Sequence, residues 1–402
     1  MKILLIADVS IAQVIGGAER VIFEQSTRLA GRGHDVHLLT RRLRNHKRSH
    51  AVIRGVNEWR YNSDIQKNAV SFLYKTFNNS RKLFEALHKE HTFDLVNIYQ
   101  PFSALGPIYS PLGQGLRKIY TCFSFSFEEF ISRNSPKGGL LDKFVYRLNA
   151  QTRRWIEERA LKSCAEIVVL SQFTRDKLWE VYRLDHGHVS IVPGGIDLIK
   201  FKPAFAKQQI RRQLNLPEEK VILFTVRNLV PRMGLENLIK AIKKIIHQAP
   251  DIYLVIGGQG HLKQELQVLI QDLGLEAWVS LAGFIPESLL PDYYRMADLF
   301  VLPTRELEGF GLVTLEAMAS GIPVIGTPVG GTREIIEKFN ASYLFRDIDP
   351  DSMADLIVKK YRQVKEHPRK WQAISDSCRE FIESNYSWEK NVDSMEELFC
   401  SN

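Results

Sequence analysis

The sequence predicts an α/β protein with two domains, each built on a parallel β-sheet covered by helices. Short apolar runs alternate with helix-length segments along most of the chain, a pattern typical of buried parallel strands. The alternation is interrupted once, at residues 192–203, and then starts again. A chain of 402 residues is also too long for one hydrophobic core and suits two domains of ordinary size.

The first domain is predicted to span residues 1–200. It opens with the apolar run "KILLIA" at 2–7, a Gly-Gly turn and a helical pattern from Glu19 to Gly31, which together indicate a strand, a loop and a helix. Four further strands are predicted, at 34–40, 94–99, 118–124 and 166–171.

The second domain is predicted to span residues 201–370. Its strands are expected at 220–226, 252–257, 278–283, 299–303 and 323–327. Residues 371–402 have a helical pattern with no strand after it. We therefore expect a helical tail that crosses back to the first domain.

Charge is distributed unevenly between the two halves. Residues 1–200 contain 30 Lys and Arg against 19 Asp and Glu, a net charge of +11, whereas the remainder contains 24 against 27, a net charge of −3. The excess base favours an acidic partner: a phosphorylated ligand, an anionic membrane surface or a nucleic acid. Four dispersed cysteines, with no Cys-x-x-Cys pair and no Cys/His cluster, indicate neither a disulfide framework nor a metal site.

Part of this base lies in "RRLRNHKRSH" at 41–50, which is too polar to be buried and should form an exposed loop or helix. The aromatic-rich segments 99–111 and 123–130 either belong to the core or expose rings that hold a lipid-linked acceptor. The sequence contains no apolar stretch of transmembrane length and no signal-peptide pattern. We expect a cytoplasmic protein that also binds peripherally to the inner face of a membrane.

The densest functional signal lies at 303–334. The turn Gly309-Phe310-Gly311 should open a helix whose first free N–H groups come from Leu312 and Val313. A glycine-rich approach to a helix start leaves these donors accessible to an anion.

Two glutamates flank this helix start. Glu308 precedes it and Glu316 lies about one turn inside it, so both can face the carboxyl ends of the strands. One carboxylate can then bind a sugar hydroxyl and the other a ribose diol. The alternative is a solvated pair that the helix dipole stabilises.

Two arginines follow the first strand of the second domain. Arg227 comes directly after it, and Arg232 lies five residues later. Both guanidinium groups can converge on one diphosphate and offset its charge without a metal. The alternative is a pair of ordinary surface arginines.

Glycines mark two further places of close approach. Gly16 and Gly17 leave no side chain between the first loop and a phosphate, although an ordinary tight turn has the same composition. Gly258, in "VIGGQG", indicates a close approach of the backbone at the carboxyl end of a strand.

Taken together, these motifs resemble the retaining glycosyltransferases of family 4, whose two Rossmann-like domains facing a central cleft form the GT-B architecture. Glu308 and Glu316, within "EGFGLVTLEAMASGIPVIGTPVGG", match the paired-glutamate motif of that family. Further matches are "GGAER" at 16–20, "VPGGID" at 192–197, "VRNLVPRMGLENLIKAI" at 226–242 and "YSWE" at 386–389.

The resemblance implies a retaining, metal-independent hexosyltransferase that moves a sugar from a nucleotide-diphospho-sugar to a saccharide or lipid-linked acceptor. The setting it implies is cell-surface polysaccharide or glycolipid biosynthesis. The nucleotide sugar is a substrate, so no cofactor is expected. Glu308, Arg227 and Arg232 would be catalytic, with Glu308 on a sugar hydroxyl and the arginines on the diphosphate. The donor-binding residues would be Glu316 on the ribose, with Gly16, Gly17, Gly258, Phe310, Gly311, Leu312 and Val313.

The chain departs from the family pattern near the diphosphate. The family usually has Arg and Lys at the positions that Asn228 and Met233 occupy here. Arg227 and Arg232 are each one position away, and we expect them to substitute.

A second departure concerns the acceptor. Tyr99 stands where the family often has a His, with Gln100 after it, and Phe123 replaces a further His. We assign Tyr99, Gln100 and Phe123 to acceptor binding.

Two alternatives remain. Another GT-B enzyme, such as a sugar-nucleotide epimerase, would act on the donor without an acceptor. A nucleic-acid-binding protein would need its base along an organised groove with a reading module, which the sequence does not show. We therefore expect no nucleic-acid partner.

Overall fold

The computed structural model describes residues 1–12, 16–43, 46–63, 69–134, 136, 138–204 and 206–401. The chain divides into two compact units. Unit 1 consists of Met1–Gly194 together with Trp388–Asn402, and unit 2 consists of Gly195–Ser387. The first junction lies just before the boundary expected between residues 200 and 201.

The described part of unit 1 contains one eight-stranded sheet. Its strands are β1 (Lys2–Ile6), β2 (Asp35–Arg41), β3 (His50–Ile53), β4 (Val56–Tyr61), β5 (Leu95–Ile98), β6 (Arg117–Cys122), β7 (Glu166–Val169) and β8 (Val189–Ile191). They lie in the order β3-β4-β2-β1-β5-β6-β7-β8. The five predicted strands are confirmed as β1, β2, β5, β6 and β7.

The parallel sheet predicted for the first domain is confirmed, with one antiparallel pair at its edge. Strand β3 pairs antiparallel with β4, whereas the other neighbours are parallel. The two strands are joined by Arg54 and Gly55, which both have positive φ angles, of 46° and 87°. A two-residue turn with this backbone matches the twist of a hairpin. The basic segment 41–50 connects β2 to β3. Arg44 in this segment lies outside the described residues.

The apolar run of β1 is continuous because both faces of the sheet are buried. Ile3 and Leu5 lie in one core cluster, with Ile22 of the first helix, while Leu4 and Ile6 lie in a second cluster, with Phe84. The first six helices are α1 (Gly17–Gly31), α2 (Ala69–His91), α3 (Pro101–Ile108), α4 (Ser126–Arg133), α5 (Leu140–Lys162) and α6 (Gln172–Tyr182).

Unit 2 contains a five-stranded parallel sheet among its described residues. Its strands are β9 (Val221–Val226), β10 (Ile252–Gly257), β11 (Val279–Gly283), β12 (Leu299–Leu302) and β13 (Val324–Gly326). They lie in the order β11-β10-β9-β12-β13, and all five were expected from the apolar runs. The helices are α7 (Lys207–Gln213), α8 (Leu235–Ile245), α9 (Lys263–Asp272), α10 (Leu290–Arg295), α11 (Leu312–Ala319), α12 (Gly330–Asn340), α13 (Pro350–Glu366) and α14 (Pro368–Asn385).

The helical tail is divided between the units. Helix α14 belongs to unit 2, and the last helix, α15 (Trp388–Cys400), belongs to unit 1. Arg32, at the end of α1, forms ion pairs with Glu389, Asp393 and Glu396 of α15. No helix in the described part of the chain is both long enough and apolar enough to cross a membrane.

Candidate active site

Helix α11 begins at Leu312, the residue at which the sequence predicts its start. Gly311 caps this end with a φ of 91°, and a Cβ atom there would lie 2.0 Å from Thr332 Oγ1, so a side chain would clash. The amide groups of Leu312 and Val313 belong to the first turn and have no acceptor within the helix. This end of α11 can therefore donate hydrogen bonds to an anion.

Phe310, next to this cap, is buried, and its ring lies 6.1 Å from the ring of Tyr386 in the "YSWE" segment. Its carbonyl oxygen accepts a hydrogen bond from Thr332 Oγ1 at 3.4 Å. The side chain of Phe310 thus packs inside unit 2. The predicted contact between its backbone and the donor stays a prediction.

Two of the predicted catalytic residues are in direct contact. Arg227, which follows β9, forms an ion pair with Glu308, and their side chains are only 5% and 13% exposed. The same guanidinium donates to Thr304 Oγ1 at 3.1 Å and to Met233 Sδ at 3.1 Å. A buried ion pair is stable only when further hydrogen bonds complete it, and these contacts supply them. Arg227 is therefore held in one orientation.

Arg232 supports the loop that carries Glu308. Its Nη1 donates to the carbonyl of Leu307 at 2.7 Å, and its own carbonyl accepts from the amide of Arg305 at 2.8 Å. Leu307 has a φ of 57°, a left-handed conformation that costs about 1–2 kcal/mol for a residue with a side chain. The bond from Arg232 stabilises this strained backbone directly before Glu308.

Glu316 lies inside unit 2 rather than on an open face. It is 3% exposed, and its Oε2 accepts a hydrogen bond of 2.6 Å from the hydroxyl of Tyr294 in α10. Tyr294 itself is fully buried among Phe201, Phe224 and Phe300. The structure thus gives Glu316 a fixed partner that the sequence does not indicate, because the spacing of Tyr294 carries no motif.

Two glycine contacts hold the strand ends together. Gly258 has a φ of 128°, and a Cβ atom there would lie 1.8 Å from the carbonyl oxygen of Arg227. Its close approach is therefore to the backbone of Arg227. Gly331 donates its amide to the carbonyl oxygen of Glu308 at 2.8 Å, and a Cβ atom on Gly330 would lie 2.1 Å from that oxygen. The start of α12 thus fixes Glu308 in place, as the Gly-Gly pair in "TPVGG" could have indicated.

Gly16 and Gly17 belong to unit 1, whereas the residues described above belong to unit 2. Gly16 is the N-cap of α1 and Gly17 its first residue. With a φ of −131°, Gly16 has a backbone that any residue can adopt. Residues 13–15 of the same loop lie outside the described part of the chain. Phosphate binding by this loop stays a prediction.

Tyr99 lies in the core of unit 1. Its hydroxyl donates to Gln25 Oε1 at 2.7 Å, and Gln25 Nε2 donates to Asn391 Oδ1 at 2.8 Å. Burial raises the pKa of the Tyr99 phenol above its usual range. This chain of bonds ties the end of β5 to α1 and α15.

The other two predicted acceptor residues are less buried. Gln100 accepts a hydrogen bond from the amide of Asp8 at 2.7 Å, and the half-buried ring of Phe123 stacks on Tyr99 with centroids 5.6 Å apart. The contacts of Tyr99, Gln100 and Phe123 are thus internal to unit 1. Their role in acceptor binding stays a prediction.

A group of possible metal ligands lies elsewhere in unit 1. Ligand atoms of Asp35, His37 and His91 fall within 4.8 Å of one another. Trp59 Nε1 donates to His37 Nδ1 at 3.1 Å, so the proton of the neutral ring is on Nε2, which lies 3.0 Å from Asp35 Oδ1. Burial lowers the pKa of His37, which favours that neutral ring. Both ring nitrogens are thus engaged, and we assign no metal to this group.

Two known families match the chain. Residues 206–387 match the family described as Glycosyl transferases group 1, and residues 15–200 match Glycosyltransferase Family 4. Together the two matches span most of the sequence.

Curated relatives are similar over shorter lengths. The chain is 31% identical over 258 residues to the mannosylfructose-phosphate synthase of Agrobacterium fabrum, which covers 61% of this chain and 55% of the relative. It is 26% identical over 332 residues to the UDP-Gal:alpha-D-GlcNAc-diphosphoundecaprenol alpha-1,3-galactosyltransferase of Escherichia coli, over 81% of this chain and 80% of that one. The chain thus spans little more than half the length of the first relative.

Among solved structures, the crystal structure of HepE from Anabaena in complex with UDP and glucose has a TM-score of 0.77 and 19% identity, over the full length of both chains. This likeness, with two parallel-sheet units, shows that the GT-B fold expected from the sequence is present.

Proposed function

Because the chain belongs to the group 1 and family 4 glycosyltransferases, we propose that it moves a sugar from a nucleotide-diphospho-sugar to a saccharide or lipid-linked acceptor. The observation that carries the proposal is the ion pair of Arg227 and Glu308 in the segments that lead into α8 and α11. The presence of UDP and glucose in the HepE crystal supports a nucleotide-sugar donor. Cell-surface polysaccharide or glycolipid biosynthesis is the proposed setting.

Unit 2 would hold the donor. The amides of Leu312 and Val313 and the guanidinium groups of Arg227 and Arg232 would stabilise the negative charge of the departing diphosphate. Arg227 is already oriented by its partners, so little reorganisation is needed when that charge develops. Glu308 pairs with Arg227 through Oε2, and its Oε1 would accept a hydrogen bond from a hydroxyl of the donor sugar.

We further propose that the transfer retains the anomeric configuration and needs no metal ion. An oxygen of the departing diphosphate can take the proton of the acceptor hydroxyl on the same face of the sugar, so no protein nucleophile is required. The cationic groups and the start of α11 would stabilise the charge that a divalent ion stabilises in other transferases.

Mass spectrometry after incubation with a panel of nucleotide sugars and acceptors tests this proposal. We expect one added sugar on the acceptor, the donor's anomeric configuration by NMR, and full turnover in a chelator. An epimerised donor with the acceptor unchanged would instead establish the epimerase alternative. Loss of turnover in the chelator, with recovery on adding magnesium or manganese, would contradict metal independence.

We also propose that the protein works peripherally on an anionic membrane. The Escherichia coli relative is named for a diphosphoundecaprenol-linked acceptor, which supports a lipid-linked acceptor. Helix α5 supports the membrane surface: it exposes an apolar stripe at helical spacing, whose side chains are 51–86% exposed. The stripe consists of Leu140, Leu141, Phe144, Val145 and Leu148.

The charges on the same helix fit this location. Lys143 and Arg147 are exposed within the stretch that carries the stripe. A helix with apolar residues on one face and Lys or Arg beside them lies in the interface of an anionic membrane. The proposal thus places the main membrane contact on α5.

A further inference from the structure

In the part of the chain that the structure describes, two arginines of unit 1 have no hydrogen-bond acceptor for their guanidinium groups. Arg41 is the last residue of β2 and Arg153 lies in α5, and the Nε atom of each is buried. Among the residues that the structure describes, neither side chain has a hydrogen bond or an ion pair. Leaving such a buried donor unsatisfied costs about 1–3 kcal/mol, and each instance in a folded protein needs a physical reason.

Phenyl rings hold both cations in place. The guanidinium carbon of Arg153 lies 5.1 Å from the ring centroid of Phe102 and 4.8 Å from that of Phe130. Arg41 lies 5.8 Å from the ring of Phe72, which is itself 6.1 Å from the ring of Phe102. Cation–π contacts orient a guanidinium by its face and leave the N–H groups on its edge free to donate. The two arginines and three rings therefore form one connected cluster.

Asp8 is the acidic group with which both arginines interact electrostatically. Its Oδ1 is already used, because it accepts from the amide of Ser103 at 2.7 Å and from the hydroxyl of Ser103 at 2.6 Å. Burial raises the pKa of Asp8, against the lowering effects of the hydrogen bonds from Ser103 and of the charge on Arg41. Glu129 also interacts with Arg153, and it accepts a hydrogen bond from the Ser124 hydroxyl. Both carboxylates thus have serine donors of their own, and in the described part of the chain neither accepts a hydrogen bond from Arg41 or Arg153.

We propose that Arg41 and Arg153 bind the phosphate or diphosphate group of the acceptor, with its neighbouring apolar part against Phe72, Phe102 and Phe130. This inference rests on the proposed function, since it names the chemistry of the acceptor. Two forked guanidinium groups match the charge and geometry of a diphosphate better than those of a single carboxylate. The site lies at the carboxyl ends of β1 and β2, the edge at which open α/β sheets bind ligands.

The same helix connects this site to the exposed stripe. Arg153 lies on α5 only a few residues after Leu148, the last residue of the stripe. Arg153 lies on the core-facing side of α5, so an amphiphile with its phosphate on Arg153 would use both features only if its chain passes around the helix to the exposed side. A soluble phosphorylated sugar would use only the arginines.

Calorimetric titration of the full chain with inorganic pyrophosphate tests the site. The donor site also binds diphosphates, so the titration is made in an Arg227→Gln background. We expect the added Arg41→Gln/Arg153→Gln pair to weaken binding at least tenfold. The matched control is Arg48→Gln/Arg159→Gln, which removes the same charge. Arg48 is exposed, and Arg159 is exposed on α5 with its guanidinium 5.6 Å from the ring of Trp155.

Equal pyrophosphate affinity with and without Arg41 and Arg153 would overturn the proposal, as would an equal loss in the control. Thermal melting checks that each variant folds. If the Gln pair does not fold, Arg41→Lys/Arg153→Lys replaces it. The Lys pair keeps the positive charges and removes the forked guanidinium groups. This pair should still weaken binding several-fold, and unchanged affinity would overturn the proposal. Nucleotide-sugar binding, measured with Arg227 intact, should not change in the Gln pair. If the wild type binds no nucleotide sugar, the proposed function fails while the pyrophosphate result stands.

Farnesyl diphosphate distinguishes the two sources of the phosphate. Tighter binding of this probe than of pyrophosphate, with the gain lost in Leu141→Ser/Leu148→Ser, would support a lipid-linked acceptor. Equal affinity for both probes, still dependent on Arg41 and Arg153, would support a soluble phosphorylated acceptor. In either case binding of both probes should depend on the two arginines.

Discussion

Arginines near the carboxyl ends of the two sheets differ in their hydrogen-bond partners. In unit 2, Arg227 has a carboxylate, a hydroxyl and a sulfur atom as partners. In unit 1, Arg41 and Arg153 lie over phenyl rings, with no acceptor in the described part of the chain. A guanidinium group whose N–H groups already have partners is held ready for charge that develops during a reaction, whereas one without a hydrogen-bond acceptor can donate to a ligand that brings its own charge. If both proposals hold, the same architectural position would serve chemistry in unit 2 and recognition in unit 1.

The largest expected effect concerns the paired cation. Arg227→Ala removes the guanidinium and leaves Glu308 buried without its partner, so we expect turnover to fall on the order of 100-fold. Steady-state kinetics on the nucleotide sugar measures this, with the exposed Arg369→Ala as control. A rate within a few-fold of wild type would show that Arg227 is a structural cation and remove the contrast between the units.

A smaller effect is expected at Glu316. Glu316→Ala should weaken nucleotide binding by about 1–3 kcal/mol, the cost of leaving buried partners unpaired. Tyr294→Phe keeps the carboxylate and removes its donor, so it should lower the free energy of unfolding by about 1 kcal/mol and change nucleotide affinity less. Calorimetry and chemical denaturation separate the two. Unchanged nucleotide affinity in Glu316→Ala would rule out a ribose contact.

The exposed apolar stripe on α5 is expected to bind anionic membranes, and unit 2 is not. We expect the protein to pellet with anionic vesicles and not with neutral ones, since each basic side chain near an anionic surface contributes roughly 1 kcal/mol. Salt should release it, and Leu141→Ser/Leu148→Ser should reduce pelleting severalfold. Val268→Ser, on α9 of unit 2, is the matched exposed control. Equal pelleting of the two variants would locate membrane binding away from α5.

The smallest expected effect is at Tyr99. Tyr99→Phe removes the hydroxyl that donates to Gln25 and leaves the ring stacked on Phe123. Because this bond lies in the core of unit 1, we expect a loss of about 1 kcal/mol in stability and unchanged turnover. A severalfold rise in the Michaelis constant for the acceptor, without loss of stability, would instead support the predicted acceptor role.

The fold was largely predictable because buried parallel strands leave continuous apolar runs. The hairpin of β3 and β4 was not, since Arg54 adopts a positive φ for which arginine gives no signal. Strand β3 has only four residues and Val52 within it is exposed, so its apolar run is too short to mark a buried strand.

The candidate site was predictable where a motif fixes the backbone and not where distant side chains meet. The glycine before α11 indicates its own left-handed turn, so the helix start could be placed. The pairing of Arg227 with Glu308 joins residues 81 positions apart, and the bond from Tyr294 to Glu316 depends on how α10 packs. Arg153 carries no sequence signal, because only the fold brings it over Phe102 and Phe130.

The return of α15 to unit 1 has a consequence for synthesis. Val392, Met395 and Phe399 share a core cluster with the β1 residues Ile3 and Leu5, which are synthesised before them. Between them lies the whole of unit 2, residues 195–387, which takes about 10–40 seconds to translate at typical rates. Unit 2 can fold as soon as it emerges, whereas unit 1 keeps an apolar face uncovered throughout that interval. We therefore expect chaperones to bind unit 1 of the nascent chain.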